Sequence, residues 1–179
     1  MALYEFLEKR PRIDATAFVH EMAAVIGDVH IGPGCYIGPF ASLRGDFGRI
    51  EIGAGSNVQE SCVLHVAPRE VCRLEPNSHI GHGAIVHGAH IGRDVLIGMN
   101  SVIMDGVVIG DTTIVGAGAM VTAGRKIPPG VLVIGSPARV ARSLDPDEIA
   151  AKRAGTEIYQ DLARDCLTSL RRIDRARPE

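Results

Sequence analysis

The chain has 179 residues, a length that suits one well-buried domain with an appendage. Its formal net charge of −2 gives no broad attraction for nucleic acid or for an anionic membrane, so neither is an expected partner. No apolar run approaches the roughly 18 residues that a membrane span needs, and the N-terminal MALYEFLEKRPRID carries charges where a signal peptide is apolar. We therefore expect a cytoplasmic protein, with its four cysteines reduced.

Aliphatic residues recur at every sixth position along most of the chain. A period of six fits neither an α-helix nor one long strand, but it fits short strands joined by turns. Three such strands make one triangular coil, and stacked coils make a parallel β-solenoid with a narrow aliphatic interior. This interior accounts for an aromatic content of only 4%. The sequence predicts an all-β solenoid over residues 1–140. The residues in register are Ile13, Val19, Val25, Ile31, Ile37, Leu43, Ile52, Val58, Leu64, Leu74, Ile80, Ile85, Ile91, Ile97, Ile103, Ile109, Val115, Val121, Ile127 and Val133.

Two insertions interrupt the period of six. The first is RGDFGRIE, between Leu43 and Ile52, and the second is HVAPREVCR, between Leu64 and Leu74. Insertions in a solenoid map to loops at the coil corners, and such loops commonly frame a binding surface. We therefore predict two corner loops.

A helical pattern replaces the repeat after residue 140. Asp145 is suited to be an N-cap, with Pro146 at the first helical position and Glu148 completing a capping box. Apolar residues at helical spacing continue from Tyr159 onward. The sequence predicts a C-terminal helical segment over residues 141–179, broken or kinked near Gly155. Its apolar stripe is expected to pack on the solenoid and to cover the edge of the last coil.

Histidines are concentrated in the segment HIGHGAIVHGAHIG, residues 79–92. A residue that follows an inward aliphatic residue points outward, so His65 and His87 stack on adjacent coils about 4.8 Å apart if Val86 is the inward residue. His82 lies on the preceding side of the triangle and should not reach the same metal within one chain. In a symmetric homotrimer it would meet His65 and His87 of a neighbour. Three imidazoles with one open position are the ligand set of catalytic zinc.

The segments LRGDFGRIEIGAGSNVQESCVLH and IGHGAIVHG resemble the γ-class carbonic anhydrases, whose pattern is Arg-x-Asp, Asn-(Ile/Val)-Gln, His and His-x4-His. That family consists of left-handed parallel β-helices of hexapeptide repeats, and the handedness is implied by the resemblance. The resemblance makes His65, His82 and His87 the metal ligands, with His82 donated across a subunit interface. The metal would be Zn²⁺, with Fe²⁺ or Co²⁺ as alternatives.

The same resemblance assigns roles to other residues. Arg44 and Asp46 become an interfacial ion pair, and Gln59 orients the metal-bound water. Further segments, including IGMNSVIMDGVVIG and GTEIYQ, are similar to the accessory proteins of phenylacetate degradation and carnitine metabolism. Tyr159 matches a helix residue that approaches the metal pocket in that subgroup, although Ile158 stands where glutamate is more usual.

The resemblance implies an enzyme in which metal-bound hydroxide attacks CO₂ to give bicarbonate. Phe47 and Pro68 stand where relatives have the glutamates that shuttle protons, so slow hydration is expected. Three alternatives stay open. The first is hydrolysis of an acyl-CoA thioester, and the second is acyl transfer with one histidine as general base. The third is a metal-stabilised scaffold without catalysis.

The remaining candidate residues receive structural interpretations. His20, His30 and His90 are expected to be structural, whereas His79 flanks the ligand segment and stays open. The buried positions in the repeat make Cys35 and Cys62 core thiols. Cys72 falls in the second predicted loop and is a candidate adventitious metal ligand.

Overall fold

The computed structural model describes residues 2–173, which form a parallel β-solenoid of about seven turns followed by one helix. It is a left-handed β-helix of hexapeptide repeats, the solenoid that the period of six predicts with the handedness that the resemblance implies. The helix is α1 (Pro146–Ser169). The strands are β1 (Ala2–Tyr4), β2 (Arg12–Ile13), β3 (Phe18–Val19), β4 (Ala24–Ile31), β5 (Tyr36–Ile37), β6 (Ser42–Ile52), β7 (Asn57–Val58), β8 (Val63–His65), β9 (Val71–Leu74), β10 (His79–Ile80), β11 (Ile85–His87), β12 (His90–Ile91), β13 (Leu96–Ile97), β14 (Val102–Ile103), β15 (Val108–Ile109), β16 (Ile114–Val115), β17 (Met120–Val121), β18 (Lys126–Ile127), β19 (Val131–Gly135) and β20 (Ala138–Ser143).

The solenoid has three faces, each built from one strand per coil. One face runs β17-β14-β11-β8-β6, the second runs β6-β9-β12-β15-β18, and the third runs β19-β16-β13-β10-β7-β5-β3. Strands on adjacent coils pair in parallel and in register, so that Ile80 lies between Val58 and Ile97. Side chains at equivalent positions therefore form columns along the solenoid.

The core is the stack of inward aliphatic residues. Ile80, Ile97 and Ile103 are completely buried, and no aromatic residue lies in this cluster. Cys35 and Cys62 occupy small inward positions there, as predicted, and burial raises the pKa of each thiol to about 11. The described cysteines are all free.

The prediction for Cys72 is wrong. Cys72 belongs to strand β9 and is completely buried, whereas its neighbour Val71 is exposed. The alternation of the strand turns the thiol into the core, where burial raises its pKa to about 11. A protonated, buried thiol is not available to a metal at the surface.

The first predicted corner loop is also wrong, because β6 runs through the inserted residues as one strand. It pairs with β4 on both sides of the corner, with a register shift between Gly27 and Val29. Gly45 makes this close pairing possible, since a Cβ there would lie 2.5 Å from the carbonyl oxygen of Asp28. The second insertion is a loop as predicted, over residues 66–70 between β8 and β9.

The C-terminal helix is continuous through Gly155, so the predicted break is wrong. The expected capping box is present between Asp145 and Glu148. Further along the helix, Lys152 and Arg153 both bind Asp94 of the solenoid. A glycine inside a helix costs about 1 kcal/mol relative to alanine, and these contacts offset that cost.

The helix packs beside the early coils, where it contacts β3, β5 and β7. Ala163 packs there with Phe18 and Tyr36, and Tyr159 and Cys166 pack against the same cluster, so the expected apolar stripe is present in part. The other apolar residues of that stripe are exposed, namely Leu162, Leu167, Leu170 and Ile173. The expectation that the helix covers the last coil is wrong, because β20 pairs antiparallel with β19 and closes that coil instead. Positions 174–179 of the predicted segment lie outside the described residues. Within residues 2–173, no helix has the length and apolar character needed to cross a membrane.

Candidate functional site

His65 and His87 form a stacked pair at one corner of the solenoid. They are direct register partners on β8 and β11, and His65 Nδ1 lies 2.9 Å from His87 Nε2. Val86 is completely buried and Ile85 is 40% exposed. The predicted register, with Val86 as the inward residue, is therefore correct, and it brings the two imidazoles together as expected.

Each imidazole of this pair contacts a carboxylate through its other nitrogen. His65 Nε2 lies 3.0 Å from Asp46 Oδ1, and His87 Nδ1 lies 2.6 Å from Asp105 Oδ1. Asp46 also accepts a 2.7 Å hydrogen bond from Arg44. Burial alone would raise the pKa of Asp46, but hydrogen bonds from Arg44, His65 and the Phe47 amide hold it below its usual value. The Arg44–Asp46 contact lies within one chain, and its role at an interface stays a prediction.

His82 lies apart from this pair, on the corner before β11. Its Nδ1 is 2.5 Å from Glu60 Oε2, and Tyr36 donates a 3.0 Å hydrogen bond to the other oxygen of Glu60. In a single chain spanning residues 2–173, no three His, Cys, Asp or Glu side chains are placed to hold a metal ion together. One chain thus unites His65 with His87 but not with His82, and the arrival of His82 from a neighbour stays a prediction.

Gln59 is buried one coil before His82, next to Glu60 in the chain, and both ends of its amide are hydrogen-bonded within the chain. Its Nε2 lies 2.9 Å from Asn57 Oδ1 and 2.6 Å from His79 Nε2, and its Oε1 accepts the His82 amide N–H at 3.2 Å. His79 Nε2 must therefore accept, which assigns the proton of that ring to Nδ1. The predicted role of Gln59 in orienting a water molecule stays a prediction.

His79 is neutral at pH 7. Burial lowers its pKa to about 4, with smaller contributions from the charges of Lys152 and His82. Its Nδ1 is buried and has no hydrogen-bond partner among the described residues. His79 thus serves to hold Gln59 and does not belong to the pair at the neighbouring corner.

Tyr159 brings the C-terminal helix to this region. Its ring packs against Tyr36 and edge-on against His79, with centroid distances of 5.4 and 5.2 Å. Its hydroxyl oxygen is 3.5 Å from His82 Nε2. Burial raises the pKa of Tyr159, so the hydroxyl keeps its proton at neutral pH. The helix residue expected near the site from the resemblance does approach His82.

Two carboxylates beside these histidines, Glu60 and Asp105, were not predicted from the sequence. Each lies one coil from its histidine, 22 residues before His82 and 18 residues after His87. The repeat predicts which residues lie one coil apart at the same corner, so an acidic residue at such a position next to a histidine could have been found from the sequence. The three histidines with structural interpretations make local contacts: His90 with Glu75 at 3.2 Å, His30 with Asp28 at 3.0 Å, and His20 with the Met22 amide at 3.1 Å.

The stacked pair is compatible with a shared metal ion. Two nitrogens bound tetrahedrally to zinc at about 2.0–2.1 Å lie roughly 3.3 Å apart, a small opening from the 2.9 Å between His65 and His87. A carboxylate on the far nitrogen is the usual support of a metal-binding histidine. The same support also serves a histidine that acts as a general base, so the pair by itself suits both chemistries.

Comparisons with known proteins identify the family. Residues 88–123 match the profile described as bacterial transferase hexapeptide (six repeats). The carnitine operon protein CaiE of Escherichia coli K12 is 48% identical over 170 residues, which cover 95% of this chain and 87% of the relative.

Solved structures give the same result. A candidate acetyltransferase from Bacillus cereus has a TM-score of 0.90 at 37% identity, covering 91% of this chain and 95% of that one. A hexapeptide transferase family protein from Anaplasma phagocytophilum has a TM-score of 0.86 at 34% identity, covering 91% and 96%. These similarities support an enzyme-like role of the transferase type, and not specifically that of a lyase or a hydrolase. The chain belongs to the hexapeptide-repeat family, in the group of the carnitine operon protein CaiE.

Proposed function

We propose that this protein is a metal-dependent homotrimeric enzyme that adds water to a carbonyl carbon at its subunit interfaces. One observation carries the proposal. His65, His82 and His87 each have one ring nitrogen on a carboxylate of the same chain, which leaves the other nitrogen for a ligand. Such support fixes the tautomer and the ring orientation of metal-binding histidines.

The ligands in this proposal are His65 Nδ1, His87 Nε2 and His82 Nε2 of the partner subunit. Zn²⁺, Fe²⁺ or Co²⁺ held by these residues would supply hydroxide at neutral pH. Asp46 and Asp105 hold the two stacked rings in place. The protonated hydroxyl of Tyr159, close to His82, is suited to donate a hydrogen bond to a substrate oxygen.

CO₂ is the substrate that the resemblance to γ-class carbonic anhydrases implies, with bicarbonate as product. Fast hydration needs a group that carries protons away from the site. Phe47 instead packs its ring on His65, at 5.4 Å between centroids, and Arg44 lies over the same ring. A carboxylate is thus replaced by an apolar ring at this position, and we expect slow hydration.

An acyl group is the second candidate substrate, and the comparisons favour it. The matched profile describes a transferase, and the Bacillus cereus structure is a candidate acetyltransferase. These relatives support acyl transfer more directly than they support CO₂ hydration. In that reaction the Asp105–His87 pair would act as a general base on the acceptor. Water in place of the acceptor would make the protein an acyl-CoA thioesterase.

Metal analysis combined with two assays tests the proposal. The metal content per chain is measured by mass spectrometry in the wild-type protein, in His82→Ala and in the control His90→Ala. CO₂ hydration and release of thiol from acetyl-CoA are then followed on the same metal-replete preparation. One metal per chain, lost only in His82→Ala, together with turnover of either substrate, is the expected result.

Other results of this experiment identify the alternatives. Metal-free protein that transfers an acetyl group to an acceptor contradicts the metal-dependent reaction and establishes the transferase. Full metal content without turnover of either substrate leaves a metal-stabilised scaffold. A monomer in solution removes the interfacial site altogether.

A further inference from the structure

We propose that a groove between α1 and the third face of the solenoid binds the apolar chain of an acyl thioester. The proposal rests on the proposed function for the reaction at the carbonyl group, and it adds the place where the apolar chain of an acyl substrate binds. The groove consists of two adjoining cavities of about 360 and 400 Å³. They share His79, Leu96 and Ile114, which are the outward residues of β10, β13 and β16.

The walls of the groove are suited to an uncharged, apolar occupant. Leu96 and Ile114 form the floor, and Ala151 lines it from the helix. The two charged residues at its far end are already paired. Glu148 accepts hydrogen bonds of 2.7 and 2.8 Å from Arg142, and Lys152 Nζ lies 2.6 Å from Asp94. Neither offers a free charge to a ligand, so an anionic or cationic group gains nothing there.

The opposite end of the groove reaches the proposed reaction site. His82 and Tyr159 line the second cavity, together with the exposed Met99. The Tyr159 hydroxyl, 3.5 Å from His82 Nε2, marks the polar limit of the groove. A thioester whose chain lies on Leu96 and Ile114 would therefore present its carbonyl group near His82.

Gly155 keeps the groove open on the helix side. It lines the first cavity, and a Cβ at this position would meet no heavy atom within 4 Å. Because Gly155 lies inside a continuous helix, a side chain there needs no change of the backbone. Position 155 is thus a place where the groove can be filled without disturbing the packing of the helix.

The test measures binding separately from turnover. S-ethyl-CoA and S-hexyl-CoA are thioethers that cannot be hydrolysed, and isothermal titration calorimetry gives their affinities for the full-length protein. Each buried methylene tightens binding by up to about fourfold. We expect S-hexyl-CoA to bind at least about tenfold more tightly than S-ethyl-CoA. Equal affinities would overturn the proposal, as would a groove already occupied by a neighbouring subunit.

Variants at the helix wall localise the effect. Gly155→Phe fills the groove and should abolish the preference for the hexyl chain, so that S-hexyl-CoA and S-ethyl-CoA bind with equal affinity. Gly155→Ala is the matched control and should keep the preference. Ala151→Phe, at an exposed position on the same wall, gives a second test if Gly155→Phe folds poorly. A preference that survives both phenylalanine variants would place the chain elsewhere and overturn the proposal.

The groove and the proposed function can be refuted separately. A hexyl preference in protein that holds no metal and turns over no substrate would support the groove and contradict the metal-dependent reaction. Metal-dependent turnover without any dependence on chain length would support the reaction and overturn the groove.

Discussion

Replacing Asp94 with alanine removes the carboxylate that anchors the C-terminal helix to the solenoid. Lys152 Nζ lies 2.6 Å from Asp94 Oδ1, and Arg153 Nε lies 2.7 Å from Oδ2. Burial alone would raise the pKa of Asp94, but hydrogen bonds from these two residues hold it below its usual value. The anchor is therefore a charged carboxylate at neutral pH.

The expected loss of stability in Asp94→Ala follows from how exposed Lys152 and Arg153 are. The Lys152 side chain is only 3% exposed. Without Asp94, its ammonium group keeps one hydrogen-bond partner among residues 2–173, the carbonyl oxygen of Asn77 at 2.7 Å. Removing one partner of a buried ion pair costs about 3–5 kcal/mol. The Arg153 side chain is 60% exposed, so its contact contributes about 0–1 kcal/mol. We expect Asp94→Ala to destabilise the docked helix by about 3–5 kcal/mol.

Hydrogen exchange measured by mass spectrometry reports on the helix directly. In Asp94→Ala, the protection of amides in residues 146–169 should fall by about 10²-fold or more, whereas Arg153→Ala should change it by less than about fivefold. Adding Lys152→Met to Asp94→Ala removes the stranded charge and should recover most of the protection. Equal losses in Asp94→Ala and Arg153→Ala would refute the reasoning, because the buried ammonium group would then carry no special cost.

Three further predictions concern other parts of the chain. The pKa of His79 is lowered to about 4 in the folded state, so below about pH 6.5 the unfolded chain binds more protons at this residue than the folded chain does. The free energy of unfolding should therefore fall by up to about 3 kcal/mol between pH 7 and pH 4. Urea unfolding across this range should show a flatter profile for His79→Gln. Gly45→Ala places a Cβ 2.5 Å from the Asp28 carbonyl oxygen and should lower the free energy of unfolding, measured in urea, by about 1–3 kcal/mol. The control Gly155→Ala should raise it by up to about 1 kcal/mol. Equal effects of the two substitutions would contradict the close approach of Gly45 to Asp28. If CO₂ is a substrate, Phe47→Glu should raise stopped-flow hydration about tenfold or more at low buffer concentration, and an equal rise in Phe47→Ala would exclude proton transfer as the reason.

The period of six was sufficient to predict most of the fold. Ile80 and Ile97 point inward because every coil places an aliphatic side chain at this position of the repeat. Counting residues along the same repeat also predicts that His65 stacks on His87. Local chemistry also predicted the start of the helix, because the capping box involves residues three apart. These features depend on neighbours in the chain or on a fixed repeat, which a sequence displays directly.

Other features depend on contacts that the repeat does not encode. Gly27 and Gly45 allow two strands to turn a corner together, which converted a predicted loop into strand. Asp94 is 58 residues from Lys152, so nothing local showed that the helix would be held straight through Gly155. Glu60 and Asp105 lie 22 and 18 residues from the histidines that they contact, so the local His-x4-His motif does not include them.

The path of the C-terminal helix has a consequence for how the molecule comes apart. In a solenoid each coil touches only its neighbours, so unfolding can begin at either end and proceed coil by coil. Here the chain leaves the last coil and returns to pack on β3, β5 and β7. This strap joins the two ends of the stack, so the first coils cannot fray until the last segment of chain has been released. We therefore expect the solenoid to unfold more cooperatively than a stack in which each coil contacts only its neighbours.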